Sequence, residues 1–187
     1  MNRFVYTLCI VLFAYSAICR IGDRFPFCLW PQTFPTSLEV TSQFVDWERF
    51  SGVWYEVARS AQAMAGNSRC VQTNYIWHSD ERYVEVQNSY LTPSGSQKSM
   101  DGNAWPRNEN QSELFIRFYW YASGQYWVLD LDPDYQWAII GEPCKRNWFF
   151  ISRTQSVSQE LLQQKVYEFS LKGFNLANLN RREAQDC

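Results

Sequence analysis

The stretch Phe50-Ser51-Gly52-Val53-Trp54-Tyr55-Glu56-Val57-Ala58-Arg59 constrains the fold of this chain more than any other. Gly52 has no Cβ, so the backbone can turn tightly or lie against a neighbour where a strand begins. Beyond it, alternation puts Trp54, Glu56 and Ala58 on one face of a β-strand and Tyr55, Val57 and Arg59 on the other. Trp54 then plugs the end of whatever space that strand lines. Asp46-Trp47-Glu48-Arg49-Phe50, just before it, suits one short helical turn.

Ser60 to Arg69 is small and polar, hence a loop. Seven further alternating runs follow: Cys70–Trp77, Tyr83–Tyr90, Ser96–Trp105, Glu113–Tyr121, Tyr126–Asp130, Trp137–Glu142 and Trp148–Ser152. Turn chemistry separates them, as in Thr92-Pro93-Ser94-Gly95, Ser123-Gly124 and Asp132-Pro133-Asp134. Eight antiparallel strands on short turns fit an all-β, up-and-down barrel whose interior holds one small ligand. One helix follows. Ser156 or Ser158 can cap it, Leu161, Leu162, Val166 and Phe169 form its apolar stripe, and Gly173 stops it. An amphipathic helix of that kind packs outside the barrel, and residues 174–187 are a tail ending at Cys187.

Aromatic residues make up 18% of the 187, so either the core is very aromatic or rings line a cavity. Net charge is −2, which gives no electrostatic footprint for nucleic acid. Residues 1–19 read as a secretory signal: Arg3 begins it, an apolar run extends from Phe4 to Ile18, and cleavage fits after Ser16 or after Cys19. That run is too short for a membrane anchor, and no later segment is apolar enough to span, so the expected product is secreted. Residues 20–45 are rich in proline and aromatics and form an extended arm; residues 46–187 form the barrel domain with its helix and tail. Cleavage after Cys19 leaves Cys28, Cys70, Cys144 and Cys187, an even set that implies two disulfides with three pairings open. With one histidine and no Cys-x-x-Cys, a metal site is not expected. Asp130, Asp132 and Asp134 read as a solvated turn without the ligand count of a calcium loop.

Three stretches, in this order and spacing, resemble the lipocalin family: Phe50–Arg59, then Leu131-Asp132-Pro133-Asp134-Tyr135, then Phe149-Phe150-Ile151-Ser152-Arg153-Thr154. Cys70-Val71-Gln72-Thr73-Asn74-Tyr75 and Gly173-Phe174 are similar to the branch holding apolipoprotein D, insect bilin-binding proteins and bacterial outer-membrane lipocalins. The arm is longer than that branch has, and Phe149 stands where a Trp is common. The resemblance implies structural roles for Gly52, Trp54, Asp132, Tyr135 and Arg153, with Arg153 packed across Trp54. It also implies the pairings Cys28–Cys144 and Cys70–Cys187.

Strand parity, set from Trp54 and Arg153, gives Leu114, Ile116, Phe118, Trp127, Leu129 and Phe149 as inward-facing ligand candidates. The resemblance adds Tyr75 and Asn88, and Glu56 is a polar candidate. Rings, aliphatics and a few polar groups suit a small hydrophobic guest: fatty acid, sterol, retinoid-like compound or bilin. The competing reading is that these rings fill the barrel. The function expected is an extracellular carrier, not an enzyme, with no cofactor unless a bilin is the ligand. Association with a membrane surface or lipoprotein follows from the resemblance alone. The alternatives are a secreted lipocalin-type isomerase or de-epoxidase, and a structural or antioxidant protein. His78 sits in a polar turn, and the mature cysteines are expected to pair, so neither a catalytic base nor a free thiol stands out. Asn110-Gln111-Ser112 is the one glycosylation sequon.

Overall fold

A computed structural model describes residues 38–61, 67–119 and 122–181. The signal segment, most of the arm, Cys28 and Cys187 lie outside the described residues. Asp46 opens α1 (Trp47–Phe50), its carboxylate accepting from the backbone N–H of Glu48 at 3.0 Å and Arg49 at 3.2 Å. The eight strands are β1 (Gly52–Arg59), β2 (Arg69–His78), β3 (Tyr83–Leu91), β4 (Gln97–Pro106), β5 (Glu113–Tyr119), β6 (Ala122–Leu131), β7 (Trp137–Gly141) and β8 (Trp148–Ser152). Each pairs antiparallel with the next, and β1 pairs with both β2 and β8, which closes the barrel.

The helix α2 (Gln159–Leu171) is capped by Ser158, whose hydroxyl accepts from Leu161 N–H at 3.1 Å. It ends before Gly173, at φ +91°. A two-residue strand β9 (Asn180–Arg181), unforeseen in the tail, pairs with Ala58 and Arg59 where β1 has left β2.

Two apolar clusters lie on opposite sides of the sheet. The inner one holds Trp54, Phe50, Tyr75, Leu114, Ile116 and Ile151. The outer one joins Trp127, Leu129, Ile139, Trp148 and Phe150 to Leu162 and Phe169 of α2. Two departures from simple alternation decide which residues face in. On β1, Glu56 pairs with Ile151 but Ala58 with Phe150, so a bulge at Val57 moves Ala58 to the outer cluster and turns Arg59 to the side of Phe149. On β6, the strand starts at Ala122, so Ser123-Gly124 is strand and not turn. The pairing of Leu114 with Tyr126 then puts Tyr126 inward and Trp127 outward, since directly opposed residues share a face.

Candidate functional site

The closed end of the barrel is packed solid. Trp54 stacks on Phe50 at 4.6 Å between centroids, and Phe50 meets Tyr75 edge-on at 5.1 Å. Leu114 and Ile116, expected to touch ligand, are buried in this packed half and do not line the space above it. Gly52, at φ +100°, leaves room there: a Cβ would come within 3.2 Å of Arg153 Nη1. Asp132 holds the β6–β7 turn, its carboxylate accepting from Asp134 N–H at 3.2 Å and Gln136 N–H at 3.1 Å. Tyr135 ties that turn to the start of α1, its hydroxyl accepting from Asp46 N–H at 2.9 Å and donating to the Phe44 carbonyl at 3.3 Å.

Above this floor lies a cavity of about 230 Å³. Of the expected ligand residues, Glu56, Tyr75, Asn88, Phe118 and Phe149 line it. Trp127 and Leu129 do not: they lie on the outer face beneath α2, and their assignment to the pocket is corrected by the β5–β6 register. Ser123 and Gly124 belong to β6, whose register against β5 sets a parity one residue off that expected from Trp54 and Arg153.

The cavity has two unlike walls. Val71, Val86, Tyr90, Met100 and Phe118, from β2 to β5, make one side mostly apolar. Its polar atoms are largely engaged within the wall, since Thr73 donates to the Asn88 side-chain oxygen at 2.7 Å and Asn88 Nδ2 donates to the Met100 carbonyl at 3.2 Å. The opposite wall, from the β7–β8 turn, β8 and β1, carries Glu142, Asn147 and Glu56 beside Phe149 and Ile151. Glu142 is 1% exposed, and one of its oxygens accepts from Asn147 N–H at 3.2 Å and Asn147 Nδ2 at 3.0 Å, which braces the β7–β8 turn. Glu56 pairs with Arg59, and Arg59 Nη2 donates to the Ser68 carbonyl at 2.5 Å across the gap between β1 and β2. At the floor, the hydroxyls of Tyr75 and Tyr126 share a hydrogen bond. Burial pushes the Tyr75 phenol up to about 12 and Tyr126 well above the ordinary value, so both stay neutral.

Sequence reasoning missed Arg59, Tyr126, Glu142 and Asn147. Only the bulge and the register bring the first two inward; Glu142 ends the expected Trp137–Glu142 run, and Asn147 lies in the connection before Trp148. His78 lies outside the barrel, stacked on Tyr83 at 4.4 Å, with Nε2 at 3.1 Å from a Glu85 carboxylate oxygen. Among the described residues, no three His, Cys, Asp or Glu side chains group as metal ligands would. Cys70 and Cys144 are disulfide-bonded, while the partners expected for them lie outside the described residues. Asn110 is exposed in the β4–β5 turn. No helix among the described residues is long and apolar enough to cross a membrane.

Comparison with known proteins agrees with this geometry. The profile of a family described as a lipocalin-like domain matches residues 45–184. Temperature-induced lipocalin-1 of Arabidopsis thaliana is 27% identical over 149 residues, covering 74% of this chain and 79% of that protein. The outer membrane lipoprotein Blc of Escherichia coli K12 is 25% identical over 146 residues, covering 78% and 82%. Insecticyanin from the tobacco hornworm Manduca sexta superposes with a TM-score of 0.64 at 18% identity, covering 84% of this chain and 90% of that one.

Proposed function

The chain belongs to the lipocalin-like domain family, and from that premise we propose that it is an exported carrier of a slim, uncharged, mostly apolar ligand held in the barrel. The observation that carries this reading is the cavity above a solid floor, apolar on one wall and hydrogen-bonding on the other. At about 230 Å³ it falls below the roughly 300–1,000 Å³ of pockets for drug-sized ligands, which favours a single chain or a narrow ring system over a tetrapyrrole. Among the described residues, the charged groups lining it are Glu56 and Glu142. Glu56 is already paired with Arg59 and Glu142 bonded to Asn147, so a fatty-acid carboxylate drawn in beside them would find no cation among the described lining residues and a poorly solvated space. A neutral polar end, such as a hydroxyl, meets hydrogen-bonding groups instead.

Binding, rather than catalysis, is supported by what faces the cavity. His78 is outside, and the lining tyrosines are held neutral by burial. Export is supported by the apolar leader and by the disulfide-bonded Cys70 and Cys144. Native mass spectrometry of the protein purified from its source tests the reading: a retained neutral lipid supports it. Titration with a long-chain alcohol and the matching fatty acid tests the charge argument. Tighter binding of the acid would overturn it, and saturable binding of neither would overturn the carrier function.

A further inference from the structure

A second concave surface lies on the outside of the barrel. This groove, of about 490 Å³, is lined by Trp105 and Phe115 with Arg82, Arg107 and Arg117 around them and Glu109 at one side. Trp105 and Phe115 are directly opposed across β4 and β5, on the face away from the buried Ala104 and Leu114. The helix α2 covers the other side of the barrel, so these rings stay partly exposed. The Arg107 guanidinium lies 5.7 Å from the Phe115 centroid, and that of Arg117 lies 5.8 Å from Trp105. Tyr83, 6.2 Å from Trp105, extends the aromatic stripe to β3.

We propose that this groove is a ligand site separate from the barrel cavity, and that it takes a small planar organic anion: a ring system bearing a sulfate, phosphate or carboxylate. Three exposed guanidiniums face one carboxylate among the lining side chains, and none of the three makes an ion pair with another of the described residues. Guanidinium presents a planar fork of donors that matches such anions two bonds at a time. Trp105 and Phe115 supply flat apolar faces beside those forks, the other half of what an aromatic anion needs. The wall is fixed in advance. Asn108 Oδ1 accepts from Ser112 N–H at 2.9 Å and Glu113 N–H at 3.1 Å, and Trp47 Nε1 donates to the Gln111 carbonyl at 3.1 Å. The cavity is an ill-suited competitor for such a molecule, because its described lining carries no Lys or Arg to meet an anion. The groove also sits at the closed end, beside α1, so its occupancy leaves the cavity mouth free.

The test is titration of the intact protein with 2-naphthalenesulfonate, followed by the indole NMR signal of Trp105. Saturable binding that weakens with added salt is expected. Arg107→Gln with Arg117→Gln should weaken it at least tenfold, and prior saturation of the cavity with a long-chain alcohol should leave it unchanged. The pair Arg107→Lys with Arg117→Lys, which keeps charge but loses the fork, should retain part of the affinity, as an unfolded variant would not. Absence of saturation, unchanged affinity in the Gln pair, or displacement by the alcohol would each overturn the proposal.

Discussion

Arg153 closes the barrel over Trp54: its guanidinium carbon stands 4.0 Å from the indole centroid while Nη2 donates to the carbonyls of Arg49 at 2.8 Å and Ser51 at 2.9 Å. Nη1 adds a bond to the Val53 carbonyl at 3.1 Å. One side chain therefore ties the end of β8 to the end of α1 and the start of β1. Hydrogen bonds from a charged donor contribute about 1.5–3 kcal/mol each at best, and the ring contact roughly 0.5–2. Partial exposure discounts these sums. Arg153→Ala should lower stability by about 2–4 kcal/mol while ligand affinity stays within twofold, because the pair lies beneath the packed floor. Urea unfolding and ligand titration of one preparation check both halves. Loss of affinity with unchanged stability would contradict the assignment.

Phe118 and Trp127 separate the two faces of the barrel. Phe118 lines the cavity, and Trp127 packs under α2 with Nε1 bonded to Gln125 Oε1 at 3.0 Å. Phe118→Ala should weaken binding of an apolar ligand by about 1–3 kcal/mol with the fold intact. Trp127→Ala should do the reverse: about 3–5 kcal/mol less stability, from a cavity beneath the helix, with affinity unchanged in the folded fraction. Fluorescence titration and thermal melting of the two variants should show opposite profiles.

The same pair shows how far the sequence could be read. Alternation identified all eight strands, and the Gly-x-Trp stretch located the closed end, because both depend on local chemistry. Facing depends on register. Ser123-Gly124 has turn composition, yet Gly124 pairs with Ile116 inside the sheet, and a slip of one residue exchanged Tyr126 for Trp127. The bulge at Val57 has no composition signal at all, and it brings Arg59 round to Glu56. Leu114 and Ile116 were read correctly as inward, but depth along the barrel is not written in parity. They fill the lower half.

Cys70 and Cys144 both stand at the open end of the barrel, at the start of β2 and in the β7–β8 turn, on either side of the Arg59–Ser60 end of β1. Pairing Cys28 with Cys144 and Cys70 with Cys187 would anchor the N-terminal arm and the C-terminal tail to the body. Each closes a long loop, for which chain-entropy reasoning gives about 3–5 kcal/mol, an upper figure because the loops overlap. Peptide mapping without reductant should recover these two linked pairs. A Cys28–Cys70 peptide would show that the arm crosses to the other side of the mouth.

The paired phenols at the cavity floor give the protein an alkaline limit. The Tyr75 pKa is raised from 10.0 to about 12, burial being the main cause, with its bond to Tyr126 acting the other way. An unfolded chain releases that proton near pH 10, whereas the folded one keeps it. The unfolded state therefore binds fewer protons above pH 10, and stability falls as pH rises. The contribution is intact below the unfolded pKa and is lost progressively between about pH 10 and pH 12. At about 1.4 kcal/mol per pH unit, the loss approaches about 3 kcal/mol for Tyr75, and Tyr126, shifted in the same direction, steepens it. Urea midpoints measured from pH 8 to pH 11 should be flat and then drop. Tyr75→Phe should cost about 1 kcal/mol at pH 8, from the lost hydrogen bond, yet show a shallower alkaline decline than the parent. An equally steep decline in Tyr75→Phe would place the alkaline sensitivity in other groups and leave the buried phenol pair with a purely packing role.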